Sequence, residues 1–340
     1  MEAQRWLRVV AAAQATGADA WAEDGATVQR VTGGYNNALY RVEVGGECYA
    51  CKLCIVDERR RAAREYDALR LLHAVGLDIA PQPVWLDESC TVVPYPAVVY
   101  RWVPGEPLDA SLTERQLAAL LGSFHDMHTL RADDCQERVL RDAVYHWFDA
   151  APYLAELRRF LTEYGDWLAT TRPDGRDLRD RLAKLLDDCA ECFASTAVEI
   201  GRGCFPLRLV RVDANLANTV WGEDGRLRWV DWEYSGWGDP ALDLAGLRWH
   251  AALSEFSEAQ HVWLRDNYCR PEDDPGFEAR FVVWDRLEVT HWPFLVLREL
   301  WSHHNGPFRV RLARRRSEPA ETRARLIRFI ERAECFAGGV

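Results

Sequence analysis

The sequence predicts an α+β fold, with a small antiparallel-sheet lobe followed by a larger helical lobe. Three observations predict it. Short alternating apolar segments, separated by tight-turn residues, crowd the chain before residue 104. After Val103-Pro104-Gly105, segments of helical length and period take over. The 340 residues are 48% hydrophobic and 28% charged, enough to build a sizeable core without covalent staples. The break divides the chain into an N-lobe, residues 1–103, and a C-lobe, residues 104–340.

Taken in order, residues 4–17 read as a helix. Glu2, Arg5 and Arg8 flank a short apolar run, which suits an amphipathic helix and not a signal peptide. Strands are expected over 27–32, 38–44 and 47–56, the last two joined by Gly45-Gly46 in a tight hairpin turn. Asp57 suits the N-cap of a helix over 58–75, and Gly76 suits its stop. Strands over 82–87 and 96–103 complete the lobe. Helices are then expected over 113–130, 151–170, 176–195, 241–254, 257–268, 277–301 and 319–336. One hairpin interrupts them: Asn218–Trp221 and Leu227–Trp232 flank the turn sequence Gly222-Glu223-Asp224-Gly225.

Composition excludes several roles. No apolar stretch reaches the roughly 18 residues of a membrane span. The net charge of −11 disfavours a nucleic-acid binder, which needs basic surface to release counterions. Ten cysteines raise the question of a metal or disulfide framework. Cys48, Cys51 and Cys54 lie on one expected strand, whose side chains alternate faces, so they cannot converge on one ion. Buried free thiols in a reducing compartment are the better reading. A cytoplasmic protein, monomer or homodimer, with no nucleic-acid or membrane partner is expected.

The charge is also uneven. Residues 104–308 carry 36 acids and 22 bases, whereas residues 309–340 carry 4 acids and 9 bases. The acidic segment either solvates helix faces or attracts cations.

Lysine usage singles out one residue. Of 42 basic residues only Lys52 and Lys184 are lysine. Lys52 lies inside an apolar strand, where an unpaired charge is costly. Thirteen residues on, Glu65 lies on the following helix. A strand lysine paired to a helix glutamate is the device protein kinases use to hold nucleotide phosphates. Asp213 and Asn218 form a D-x-x-x-x-N pattern, and Asp231 ends a strand thirteen residues after Asn218. Asp213 can accept or orient a hydroxyl proton. Asn218 and Asp231 offer the oxygen ligands that Mg²⁺ takes alongside water and phosphates.

These segments resemble the aminoglycoside phosphotransferase and choline kinase-like family, relatives of protein kinases. They are G-G-Y-N-N-A-L-Y-R-V, Y-A-C-K-L, R-E-Y-D-A-L-R-L-L, V-V-Y-R-W-V-P-G-E-P-L, D-A-N-L-A-N and V-D-W-E-Y-S-G-W-G-D-P-A-L-D-L-A. The resemblance implies a bilobal protein kinase-like fold and transfer of the γ-phosphate of ATP or GTP, with Mg²⁺. It implies that Lys52 contacts phosphate, Glu65 holds Lys52, Asp213 is the catalytic base or hydroxyl-orienting residue, and Asn218 and Asp231 bind the metal. Val99, Tyr100, Arg101 and Trp102 become hinge residues that receive the purine. Gly33 and Gly34 suit either close backbone approach to phosphate or an ordinary turn. One departure stands out: Arg211 occupies the place where the family usually has histidine. A structural swap that keeps the loop supported is expected.

The implied acceptor is a small hydroxylated molecule. The acidic segment and the aromatics Tyr145, Trp147, Trp167, Trp284, Trp292 and Trp301 suit an amine-bearing one, though most of these tryptophans are expected in the core. Trp292-Pro293 and Ser302-His303-His304-Asn305 are expected along the substrate cleft, and Asp243 as a brace for the loop. A choline, homoserine or sugar kinase of the same fold, or an inactive nucleotide-binding relative, would share these motifs.

Overall fold

The computed structural model describes residues 2–23, 25–32, 36–135, 140–144, 150–195, 204–253, 255–306, 312 and 318–338. Gly33, Gly34, Tyr145 and Trp147 lie outside them.

The chain opens with helix α1, Glu2–Thr16, and then builds one antiparallel sheet. Its strands are β1 (Ala20–Glu23), β2 (Ala26–Val31), β3 (Ala38–Val44), β4 (Glu47–Leu53), β5 (Pro83–Asp87) and β6 (Ala97–Arg101). Their spatial order is β1-β2-β3-β4-β6-β5. Val44 pairs with Glu47, so Gly45-Gly46 form a two-residue turn, and both have the positive φ such a turn demands. Strand β1 is not legible in the sequence. It is an edge strand, largely exposed, with no alternation to mark it.

Helix α2, Arg61–Ala74, crosses one face of the sheet between β4 and β5. It starts three residues later than expected, and Asp57 does not cap it. The Asp57 carboxylate instead accepts from the Arg59 N–H and from Arg61 Nε. It secures the turn before the helix rather than the helix itself.

The remainder is mostly helical: α3 (Glu114–His128), α4 (Ala150–Phe160), α5 (Asp166–Thr171), α6 (Gly175–Ser195), α7 (Pro240–Trp249), α8 (Glu258–Asn267), α9 (Phe277–Asn305) and α10 (Pro319–Gly338). The helix expected over 151–170 is interrupted by a π turn at Leu161–Gly165. That over 241–254 stops at Trp249, and a 3₁₀ turn, Ala251–Leu253, follows. Four short strands form two pairs. Strands β7 (Arg208–Val210) and β10 (Gly236–Gly238) pair with each other, and β8 (Thr219–Trp221) pairs with β9 (Leu227–Trp229). The first pair escapes sequence reading because each strand is three residues long and one is Gly-Trp-Gly. The hairpin is shorter than expected. Asn218 closes a 3₁₀ turn, Leu216–Asn218, and Asp231 lies two residues beyond β9.

Strand alternation sends the β4 side chains into two apolar clusters. Tyr49, Cys51 and Leu53 pack with α1 residues such as Trp6 and Val10. Ala50 and Cys54 face the cluster that continues into the helical region. Cys51 and Cys54 therefore point apart, and all ten cysteines are free thiols. No helix among the described residues is long and apolar enough to cross a membrane.

Helix α9 is the axis of the helical region, packed against α7, α10, α6 and α4. A buried ion cluster secures it. Arg280 donates to Asp239 and to Asp274, and Trp284 Nε1 also donates to Asp239. Asp239 is at the same time the N-cap of α7, accepting from the Ala241 N–H. Breaking such a cluster leaves buried carboxylates without a partner. Arg280→Ala is expected to lower stability by about 3–5 kcal/mol in urea unfolding, with Arg280→Lys between it and the wild type.

Candidate active site

The site begins at Lys52. It lies on β4, paired with Leu39 of β3 on one side and Val98 of β6 on the other. It is thus in the middle of the sheet, with no edge from which to reach solvent. Its Nζ donates to Glu65 Oε2 at 2.6 Å and Asp231 Oδ1 at 2.5 Å, and lies 2.9 Å from Glu233 Oε2. Burial opposes the charge on Lys52, but Asp231, Glu233 and Glu65 outweigh it and hold the ammonium protonated.

Glu233 was not singled out from sequence, although it lies in the quoted V-D-W-E segment. Burial works against its charge too, but Lys52 and Arg61 hold it ionised. Arg61, fully buried at the start of α2, donates to Glu233 Oε1. The Asn37 amide donates to Glu233 Oε2, and its oxygen accepts from the Ile55 N–H. One carboxylate therefore ties the entry to β3, the end of β4, helix α2 and the 231–233 segment together.

A second group forms on the loop after β7. Val212 and Asp231 have φ of 71° and 63°, left-handed values that are unfavourable for non-glycine residues and above all for a β-branched one. Both strained positions are tied down. The Asp243 carboxylate accepts from the Arg211 and Val212 N–H groups at 2.8 and 2.6 Å. Asp243 is itself held by His128 Nε2 at 3.0 Å, so it braces the loop. Arg211 Nη2 donates to the carbonyls of Val230 and Asp231, and its guanidinium lies 4.3 and 5.0 Å from the ring centroids of Trp229 and Trp232. The residue at the usual histidine position thus links the two segments that carry Asp213 and Asp231.

Asp213 faces a cavity. Its Oδ1 accepts from the Asn215 N–H and lies 3.1 Å from His250 Nε2. Its Oδ2 accepts from Asn218 Nδ2. Burial raises the Asp213 pKa, but the His250 hydrogen bond and the charges of His250 and Arg211 outweigh it and lower it overall. His250 is a residue sequence reading missed. Its Nδ1 accepts from the Ala252 N–H at 3.1 Å, so in the neutral ring the proton sits on Nε2 and points at Asp213. Nothing in a lone Trp-His pair at a helix end signals this.

The Val230 N–H donates to the Asn218 carbonyl, which brings Asn218 beside Asp231. With Nδ2 bound to Asp213, the Asn218 Oδ1 is the atom left to meet a cation. Burial pushes Asp231 up, and Lys52 opposes that. Oxygen atoms of Glu65, Asp231 and Glu233 lie within 4.8 Å of one another. Lys52 Nζ lies within 2.9 Å of an oxygen of each, so this set holds the lysine. The oxygens on offer to a divalent ion are those of Asp231 that turn from Lys52, with Asn218 Oδ1, donors of the hard kind that Mg²⁺ takes.

The expected hinge residues are more committed than sequence suggests. Val99 and Tyr100 lie within β6, between β4 and β5. The Arg101 N–H donates to Gln82 and the Trp102 N–H to Cys48. Val103 is the first residue past the strand whose N–H has no partner among the described residues. The expected cleft also needs correction. Trp292 lines the cavity, but Ser302-His303-His304-Asn305 do not. His303 meets Thr322 of α10, and His304 meets Arg172 and Trp167. Trp284 is core, and Trp301 packs on Tyr164.

His250→Ala removes a donor from Asp213 while leaving the loop brace untouched. If Asp213 is the acceptor-facing group, kcat is expected to fall about 10-fold or more with KM nearly unchanged. His250→Gln, which can restore an N–H donor, is expected to recover part of the loss in steady-state kinetics.

The family model described as the phosphotransferase enzyme family matches residues 27–281. A spectinomycin phosphotransferase, in complex with ADP and spectinomycin, superposes with a TM-score of 0.63 at 13% identity, covering 91% of this chain and 92% of that one. A choline/ethanolamine kinase family protein from Mesorhizobium loti gives 0.56 at 18% identity, covering 91% and 87%. A choline kinase from Streptococcus pneumoniae gives 0.56 at 15% identity, covering 96% and 98%. No curated protein matches the chain in sequence. At these identities the structures establish the shared kinase-like fold, and the family match covers most of the chain, from the first long strand of the sheet into α9: the chain belongs to the phosphotransferase enzyme family.

Proposed function

We propose that the protein moves the γ-phosphate of ATP or GTP to a hydroxyl of a small, amine-bearing molecule. The observation that carries this reading is the placement of Lys52. Its buried ammonium sits among Glu65, Asp231 and Glu233, and the chain beside Asp231 is bonded to the loop that holds Asp213 and Asn218. A point charge so held suits nucleotide phosphate.

Roles follow from the contacts. Lys52 meets the phosphates, and Glu65 and Glu233 keep it aimed when Asp231 turns to the cation. Asn218 and Asp231 would hold Mg²⁺, which when bound offsets the charge of the phosphates. The Val103 N–H is the donor best placed for a purine edge, at the end of the expected hinge. The lobes 1–103 and 104–340 then contribute the nucleotide and acceptor sides of one cleft.

Asp213 receives the acceptor hydroxyl. Its oxygens, fixed by His250, Asn215 and Asn218, orient the hydroxyl toward phosphorus and take up its proton as the new O–P bond forms and the bond to the nucleoside diphosphate breaks. Most of the rate comes from such positioning and from charge stabilisation. The acceptor's amine is supported by the acid excess of residues 104–308.

The test is release of ADP or GDP, with and without Mg²⁺, against a panel of aminoglycosides, amino alcohols, homoserine and simple sugars. Asp213→Ala is expected to lower kcat at least about 100-fold with nucleotide affinity nearly intact. Wild-type turnover in that variant would overturn the assignment. Nucleotide binding without turnover on any acceptor would favour an inactive relative.

A further inference from the structure

Helices α9 and α10 pack against each other, an arrangement that a connection of ~2–8 residues can serve. The chain between them runs from Gly306 to Glu318 and makes an excursion. At Leu312 it reaches the sheet built by the other end of the sequence. The Leu312 N–H donates to the Asn36 carbonyl at 2.7 Å, and Arg30 Nη2 donates to the Leu312 carbonyl at 2.7 Å. The Leu312 side chain packs on the apolar cluster that α1 forms with the sheet. The sheet thus engages both backbone groups and the side chain of this one residue.

The grip falls on the connection between β2 and β3. Arg30 lies opposite Tyr40 in the β2–β3 register, with its guanidinium 5.6 Å from the centre of the buried Tyr40 ring. Asn36 precedes Asn37, whose amide donates to Glu233 and whose oxygen accepts from the Ile55 N–H. Glu233 in turn lies 2.9 Å from Lys52 Nζ. Contacts therefore run unbroken from the α9–α10 connection through Asn36 and Asn37 to the ammonium. Tyr40, Cys51 and Leu53 belong to the α1 face, so strand alternation puts Lys52 on the opposite one. The grip comes from the side away from Lys52.

We propose that Leu312 tethers the α9–α10 connection to the sheet, and that Leu312 and Arg30 are positioning residues for the nucleotide. By holding Asn36 they keep Asn37 on Glu233, and Glu233 keeps Lys52 aimed. The identity of the ligand rests on the phosphotransferase reading above; the tether goes beyond it. Without the tether, the β2–β3 connection has to be ordered when nucleotide binds, and that ordering is subtracted from affinity. Linkage requires the converse: nucleotide strengthens the tether by the same factor. Helix α9 also carries Trp292 and Leu295, which line the cavity beside Asp213. The tether thus joins that wall to the residues that aim Lys52.

The experiment uses full-length wild type, Leu312→Pro, which lacks the N–H, Arg30→Ala and Arg30→Lys. Hydrogen exchange read by mass spectrometry follows the Leu312 amide, which reports the tether, and the Ile55 amide, which reports Asn37. Calorimetry follows binding of non-hydrolysable ATP and GTP analogues with Mg²⁺. In wild type both amides are expected to be protected, and more so with analogue bound. Arg30→Ala is expected to speed exchange of both, and Leu312→Pro to speed exchange of Ile55. Both variants are expected to bind the preferred analogue at least about 5-fold more weakly, with Arg30→Lys between them and wild type. Protection across α2 and α9 is expected to be unchanged. Equal affinity in wild type and both variants overturns the proposal, and so does Ile55 exchange that ignores Arg30 and Leu312. Loss of protection throughout the sheet and α9 also overturns it, because the two residues are then merely structural. A wild type that binds neither analogue defeats the phosphotransferase reading, and the tether then stands or falls on Ile55 exchange.

Discussion

The Lys52 ammonium is the charge on which the site depends. It is buried at the centre of the sheet and is neutralised by groups from two other parts of the chain: Glu65 of α2, and Asp231 and Glu233 of the segment after β9. Arg61 adds a second cation against Glu233. Three carboxylates thus face two cations. None of these five groups could be buried alone without a large desolvation cost. Together they bind helix α2 and the 231–233 segment to the sheet.

A second constraint keeps the other half of the site in register. The loop bearing Asp213 passes through a left-handed Val212, and the segment bearing Asp231 through a left-handed Asp231. Such conformations persist only where the surroundings enforce them. Asp243 enforces the first through two backbone N–H groups, and Arg211 links the two through the Val230 and Asp231 carbonyls. The flat Arg211 guanidinium lies against the rings of Trp229 and Trp232 and still reaches the carbonyls. Arg211 is thus a brace between the two segments.

Much of this was legible in the residues. Lys52 stood out because lysine is so rare in the chain, and its apolar strand demanded a partner. Glu65, Asp213, Asn218 and Asp231 followed from spacing, and the structure gathers all five. Strands with clear alternation, and Gly45-Gly46 between two of them, were equally plain. What escaped was set by long-range contact. Strand β1 is exposed, so nothing in its pattern marks it. The pairing of β7 with β10 joins segments of three residues across the chain. His250 lies beside Asp213 only because the fold brings the end of α7 to that cavity wall. Asp57 looked like a helix cap by position, but its carboxylate is taken by Arg61.

The central claim is that the compact charge of Lys52 holds nucleotide phosphate from inside an acidic cluster. Titration of a non-hydrolysable ATP or GTP analogue with Mg²⁺ into wild type and Lys52→Arg tests it most directly. The account predicts binding to wild type and a loss of at least about 10-fold, or about 1.4 kcal/mol, in Lys52→Arg, because the larger guanidinium cannot occupy the ammonium's position among three carboxylates. Equal affinity in the two proteins, with both folded, would contradict it.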